Sequence, residues 1–243
     1  MTAKQKPNLD RVPRPLKNKK QTFVRPWITS PHVTELLDAL YADAEMNDPL
    51  VYEAVRGAVV AHDSEADFYK AARNAYMPVS REFGKLLYAL ARSSKAKTVV
   101  EFGTSFGIST IFLAAAVADS GDGRVITTEF DPEKARRAKK NLAAAGLEAR
   151  VEIRVGNALE TLKSDLPPQI DFILLDGAKG LYLDVLKLLQ PYLRSGGIVA
   201  SDNTDHEGMD AFLTFLRDSD NGYTSSAILT VEGQRGHEIS IRN

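Results

Sequence analysis

Between residues 98 and 201 the chain alternates short apolar runs with longer segments of mixed polarity. The apolar runs are Thr98–Phe102, Arg124–Thr128, Val151–Val155, Ile170–Leu175 and Gly197–Ser201. They are short and rich in β-branched residues, which is the pattern of strands buried on both faces. Between them lie Ile108–Ala118, Pro132–Ala145, Ala158–Lys163 and Tyr182–Leu193, whose lengths and apolar spacing predict helices. Asp131 before Pro132 and Glu133 is a helix start, with an Asp cap and proline at the first helical position. Gly146 and Gly196 stand where helices stop. This alternation predicts an α/β, Rossmann-like, doubly wound sheet of seven mainly parallel strands. The tail reads differently. Tyr223–Val231 and His237–Arg242 flank Glu232-Gly233-Gln234-Arg235-Gly236 and predict a C-terminal antiparallel hairpin that closes one sheet edge.

Upstream, Leu36, Leu37, Leu40 and Tyr41 share one helical face, and Val51, Val55 and Val59 share another. Asn47-Asp48-Pro49 is expected to break the two. Residues 31–76 therefore read as an N-terminal helical cap, too plain to carry chemistry alone, and residues 77–243 as the main domain. Residues 1–30, with Pro7, Pro13, Pro15 and Pro26, read as an extended basic arm.

Composition narrows the classes. With 243 residues, 44% hydrophobic and 26% charged, the chain suits one large α/β domain. It has no cysteine, hence no disulfide framework, thiolate nucleophile or cysteine zinc site. The longest apolar run, Ile111 to Ala118, is far short of a membrane span. No apolar h-region follows the basic N-terminus, so a cytoplasmic protein without a signal peptide is expected. A net charge of −1 argues against a nucleic-acid footprint over the whole protein. The charge is uneven, however. Lys4, Lys6, Arg11, Arg14, Lys17, Lys19, Lys20 and Arg25 face only Asp10, which describes either a solvated tail or a tether for RNA, an acidic substrate or a partner subunit.

In open α/β sheets ligands bind beyond the carboxyl ends of the strands, so the residues after each strand carry the chemistry. After the first come Glu101-Phe102-Gly103-Thr104-Ser105-Phe106-Gly107-Ile108-Ser109. Gly103 and Gly107 allow a tight turn and close backbone approach, and the helix that follows offers free N–H groups to a carboxylate. The spacing is G-x-x-x-G rather than the dinucleotide G-x-G-x-x-G. The preceding Glu101 would repel a pyrophosphate but suits a cationic sulfonium ligand with an amino group. Glu129, at the second strand end, is placed to accept both hydroxyls of a ribose, and Asn157 after the third strand to read an adenine edge. The fourth strand ends in Asp176-Gly177-Ala178-Lys179 and the fifth in Asp202-Asn203. Asp176, Asp202 and Asn203 together form a half-shell of hard oxygens suited to Mg²⁺ or another divalent cation. Lys179 stands nearby as a candidate base. His206 reads as a solvated loop histidine. Glu232 is the candidate to flank a second hydroxyl of the acceptor.

Glu101 to Gly107, Glu129 and Gly156-Asn157 resemble the cofactor motifs of class I methyltransferases. More narrowly, residues 77–243 resemble the catechol and caffeoyl-coenzyme A O-methyltransferase family, with Met77-Pro78-Val79 and Gly84 matching the segment that covers its cofactor. The resemblance implies S-adenosylmethionine held by Val79, Glu101, Gly103, Ser105, Ser109, Glu129, Asn157 and Asp176. It also implies metal ligands Asp176, Asp202 and Asn203, with catalysis by Lys179 and Asp176. Most relatives carry an acid where Asn157 stands. The implied reaction is methyl transfer to a hydroxyl of a small, phenolic or catechol-like molecule by a homodimer. The competing reading is an RNA hydroxyl methyltransferase of the same fold that uses the basic arm; the net charge and the lack of an RNA module weigh against it. The glycine spacing disfavours a nicotinamide oxidoreductase. The full set of acids, with Lys179, disfavours a fold kept only for interactions.

Overall fold

The computed structural model describes residues 25–58, 65–229 and 236–243. Most of the arm and Glu232 lie outside these residues. A helix α1 (Pro31–Ala58) and a short α2 (Glu65–Ala71) precede α3 (Arg81–Ser93). Strands and helices then alternate: β1 (Thr98–Phe102), α4 (Ile108–Ser120), β2 (Arg124–Glu129), α5 (Pro132–Ala144), β3 (Val151–Val155), α6 (Ala158–Thr161), β4 (Ile170–Leu175), α7 (Tyr182–Leu189) and β5 (Leu193–Ser201). α8 (Asp210–Arg217) leads to β6 (Tyr223–Leu229) and β7 (Gly236–Arg242).

The seven strands form one sheet in the order β3-β2-β1-β4-β5-β7-β6. The first five run parallel and the last two antiparallel. The chain reverses its direction of travel across the sheet between β1 and β4, the place where such folds bind ligands. Period-two alternation fills both faces. Val99, Phe172, Leu174, Ile198 and Ala200 face α3 and α4, while Val100, Ile173, Leu175 and Val199 face α7 and α8. Every residue of α4 from Ile108 to Val117 is buried, and apart from Ser109 and Thr110 in its first turn the stretch is apolar all round, as an enclosed helix tends to be.

Three features depart from the sequence pattern. Gly196 does not end a helix, because α7 stops at Leu189 and Gly196 lies inside β5 at φ 71. α3 and α8 are additional helices, α3 entered through a Ser80 side chain that accepts from the Phe83 N–H at 3.1 Å. The expected break at Asn47-Asp48-Pro49 does not occur, because α1 runs through Pro49 unbroken. An interior proline costs about 3 kcal/mol by local rules. Here Pro49 faces solvent, where water can serve the freed carbonyl, while the neighbouring Asp48 is buried and bonded to the segment before α3. Tertiary contacts thus hold the helix through the proline. Val33, Leu37, Leu40 and Tyr41 of α1 join the same core as β1 and α4, so this helix packs as part of the domain.

Candidate active site

The loop after β1 is shaped by three left-handed residues, Gly103 at φ 104, Ser105 at φ 46 and Gly107 at φ 86. Gly103 lies so close to the end of β4 that a Cβ would stand 2.3 Å from the Asp176 carbonyl oxygen. Thr104 ties the loop sideways, its N–H and hydroxyl both donating to the Thr128 carbonyl at 3.0 and 2.9 Å.

Glu101 is fully buried beneath this loop. One carboxylate oxygen accepts from Ser109 at 2.6 Å, and the other from Thr110 at 2.5 Å and Thr127 at 2.6 Å. Burial pushes its pKa up, and the three hydroxyls partly oppose that. Glu101 and Ser109 therefore face each other, and the acid anchors the first turn of α4 to β1 and β2. Glu101→Ala is expected to lower stability by about 2–4 kcal/mol, because buried hydroxyls lose their acceptor and a void remains. Urea denaturation checks this, and an unchanged midpoint would contradict the anchoring role.

At the tip of β2, Glu129 accepts the Ser105 N–H and the Asp131 N–H, each at 2.8 Å. Burial raises its pKa, countered in part by these amides and by the buried ammonium of Lys134. Lys134 donates to Ser105 Oγ at 3.2 Å. Beside Glu129, the Phe130 ring is 61% exposed. Asn157 is exposed and caps α6, its side-chain oxygen accepting from the Leu159 N–H at 3.0 Å. Val79 is buried, and its carbonyl accepts from the Tyr41 hydroxyl at 3.0 Å.

At the next two tips, Asp176 follows β4 and Asp202 follows β5, and the register pairs Leu175 with Ser201 just before them. Lys179 Nζ lies 3.6 Å from Asp176 Oδ1 and donates to the Tyr182 hydroxyl at 2.7 Å. That hydroxyl in turn donates to the Asp202 carbonyl at 3.1 Å. Burial, and then the nearby Asp176 and Asp202 carboxylates, push the Tyr182 pKa well up. Tyr182 thus stays a neutral bridge that points the Lys179 ammonium at the acidic tips. Asn203 is held at φ 54, its N–H donating to Asp202 Oδ1 at 2.8 Å. His206 is exposed.

Some neighbours of the site were not read from the sequence. His237, at the start of β7, is buried with Nδ1 2.7 Å from Asp202 Oδ1, and its ring stacks on Phe83 at 3.8 Å. The contact is close but off the line of a regular hydrogen bond, and Nε2 has no hydrogen-bond partner among the described residues. Its signal was the strand register: Glu238 pairs with Ser201, which sets His237 beside Asp202. Glu65 of α2 accepts the Lys179 N–H at 2.7 Å, and the Tyr69 hydroxyl reaches the Gly177 carbonyl at 3.5 Å. The segment that looked too plain for chemistry therefore walls the Lys179 loop.

Two nearly buried carboxylates and an amide at adjacent tips suit a hard divalent cation by donor type. No group of three or more His, Asp or Glu side chains among the described residues is arranged to hold a metal by itself. Among the same residues no helix is long and apolar enough to cross a membrane.

Comparison with known proteins agrees with this architecture. The family model described as O-methyltransferase matches residues 60–214. A catechol O-methyltransferase of Mycobacterium tuberculosis is 32% identical over 80% of this chain and 83% of its own length. A catechol O-methyltransferase of Niastella koreensis is 36% identical over 54% of this chain; the match spans 59% of that relative, less than two thirds of its length. The crystal structure of an O-methyltransferase from Bacillus cereus in complex with SAH superposes with a TM-score of 0.65 at 26% identity. That superposition covers 82% of this chain and all of the other.

Proposed function

The chain belongs to the O-methyltransferase family, and from that premise we propose that it transfers the methyl group of S-adenosylmethionine to a hydroxyl of a small phenolic or catechol-like molecule, assisted by a divalent cation. The observation that carries this reading is the meeting of two sets of side chains at one sheet edge. Ser105, Glu129 and Phe130 gather at the tips of β1 and β2, and Asp176, Lys179 and Asp202 at the tips of β4 and β5. Gly103 packs directly against Asp176 between them. The relative from Bacillus cereus with bound SAH, the demethylated product, supports the choice of methyl donor.

S-adenosylmethionine supplies an electrophilic methyl on a cationic sulfur. Glu129 is locked by two backbone amides and keeps lone pairs for the ribose hydroxyls. Phe130 offers an exposed ring on which a base can stack. Asn157 has committed its oxygen to the α6 cap, so its amide hydrogens remain to donate to a ring nitrogen. Gly103 and Gly107 bring bare backbone and a helix start to the amino-acid end of the ligand. A carboxylate at the position of Asp176 would attract the cationic sulfur of the donor.

Asp176, Asp202 and Asn203 would hold the cation, which supplies Lewis acidity that lowers the pKa of a coordinated hydroxyl. His237, stacked on Phe83, packs against the Asp202 carboxylate with Nδ1 2.7 Å from Oδ1. Lys179, aimed by Tyr182, is the candidate base for the hydroxyl proton. Alignment in a site walled by α2 supplies most of the acceleration.

A screen of hydroxylated aromatics with methyl-labelled donor, with and without Mg²⁺ and chelator, tests the reaction. Metal-stimulated label in an ether product is the expected result, and protein that binds neither the donor nor S-adenosylhomocysteine would overturn it. Equal turnover with chelator would remove the cation alone. Glu129→Ala is expected to weaken donor binding about 10- to 100-fold through loss of charged hydrogen bonds. Calorimetry that finds unchanged affinity would take Glu129 out of the ribose site.

A further inference from the structure

Residues 76–79 cross the glycine loop on one side and α1 on the other. Asp48 of α1 is buried, and its two carboxylate oxygens accept the N–H groups of consecutive residues, Tyr76 at 2.7 Å and Met77 at 2.8 Å. A buried carboxylate is costly unless its lone pairs are used, and these are aimed at one backbone bend. Met77 has φ 49, a left-handed conformation that a side chain resists by about 1–2 kcal/mol. Something outside the segment must hold it there, and the paired amide bonds to Asp48 do so.

The held segment grips the glycine loop directly. The Tyr76 carbonyl accepts from Ser105 Oγ at 2.6 Å, and the Tyr76 ring meets Phe106 edge-on at 4.4 Å. Ser105 is itself left-handed and passes its N–H to Glu129. Four residues thus form one polar chain, Asp48 to Tyr76 to Ser105 to Glu129. Other α1 residues secure the same stretch. The Tyr41 hydroxyl donates to the Val79 carbonyl, Asn47 donates to the Asn74 carbonyl at 2.8 Å, and Asp43 accepts from the Tyr76 hydroxyl. Lys134, which touches Ser105, also feels the Asp48 charge.

We infer that Asp48 is a positioning residue for the methyl donor, so that α1, which lies outside the matched family region of residues 60–214, is a working part of the cofactor site. Asp48 does not touch the donor. It holds Met77 and Tyr76 so that Ser105 keeps its strained turn and Glu129 keeps its aim. The inference rests on the assignment of Ser105 and Glu129 to the donor site.

The test uses the full chain as wild type, Asp48→Ala, Asp48→Asn and Asp38→Ala. Asp38 lies on the same helix but pairs with Arg81 at the surface, and serves as control. S-adenosylhomocysteine affinity is measured by calorimetry at a temperature where circular dichroism shows each variant folded. Asp48→Ala is expected to raise the Kd at least about tenfold, with Asp48→Asn between it and wild type because one acceptor oxygen survives, and Asp38→Ala unchanged. A merely structural role would lower the melting midpoint and leave the Kd of the folded protein alone. A Kd within about twofold of wild type for folded Asp48→Ala overturns the inference and leaves the donor site standing. If that variant does not fold, unchanged affinity in Asp48→Asn overturns it equally. Wild type that fails to bind S-adenosylhomocysteine sinks the donor assignment, and this inference with it.

Discussion

Asp202→Ala is expected to reduce metal-supported methyl transfer by more than about a hundredfold while S-adenosylhomocysteine binding stays near wild type. Asp202 is 1% exposed, so its charge is strongly felt and water cannot replace it. One of its oxygens is engaged by the Asn203 N–H at 2.8 Å and lies 2.7 Å from His237 Nδ1. Removing the carboxylate therefore takes away a ligand of the proposed cation site and releases both neighbours. Glu129, proposed to hold the donor, belongs to another strand tip and keeps both its amide partners. Two measurements decide the matter. Calorimetry with Mg²⁺ should show binding lost, and labelled-methyl turnover should fall to the level of wild type with chelator. Turnover equal to wild type in Mg²⁺ would show that the β5 tip plays no part in the reaction.

Gly103→Ala should damage the protein more broadly. The new Cβ would stand 2.3 Å from the Asp176 carbonyl oxygen, 2.6 Å from its carbon and 2.9 Å from the Gly177 nitrogen. All three are backbone atoms, so no side chain can swing aside. The φ of 104° adds strain that only glycine avoids. Steric overlap and backbone strain together predict a loss of about 3–5 kcal/mol. Any folded fraction must part the tips of β1 and β4, which weakens donor affinity and displaces Asp176 at once. Gly208→Ala is the comparison. Gly208 also has a positive φ, of 85°, but nothing lies within 4 Å of its would-be Cβ, so it should lose only about 1–2 kcal/mol. Urea denaturation of the two variants side by side gives the answer. Similar losses would mean that strain alone, and not the close approach of β1 to β4, makes glycine necessary at position 103.

These variants separate what local pattern announces from what packing imposes. The strand cores were legible because burial on both faces demands runs such as Ile170–Leu175, and few other structures tolerate them. Asp131-Pro132 announced α5 because capping is a contest among adjacent backbone groups. The place of the acids at the strand tips was legible by position alone, since whatever follows a parallel strand lies at that edge of the sheet. Their partners were not. His237 reaches Asp202 only through the register of β5 with β7. Glu65 reaches the Lys179 amide from 114 residues away in the chain. Pro49 shows local reasoning overruled, because the rule that breaks a helix at proline omits the buried contacts of Asp48.

By itself the sequence determined the alternation of strands and helices, the glycine turn, and the acids at the strand ends, because each depends on neighbours within a few residues or on period-two burial. Tertiary structure alone decided that Glu101 is spent on three hydroxyls, that His237 backs Asp202, and that α1 passes through Pro49 to brace the loop over Ser105. Those outcomes depend on which distant groups meet out of reach of water, where an unmet hydrogen bond is expensive, and no local pattern records such a meeting.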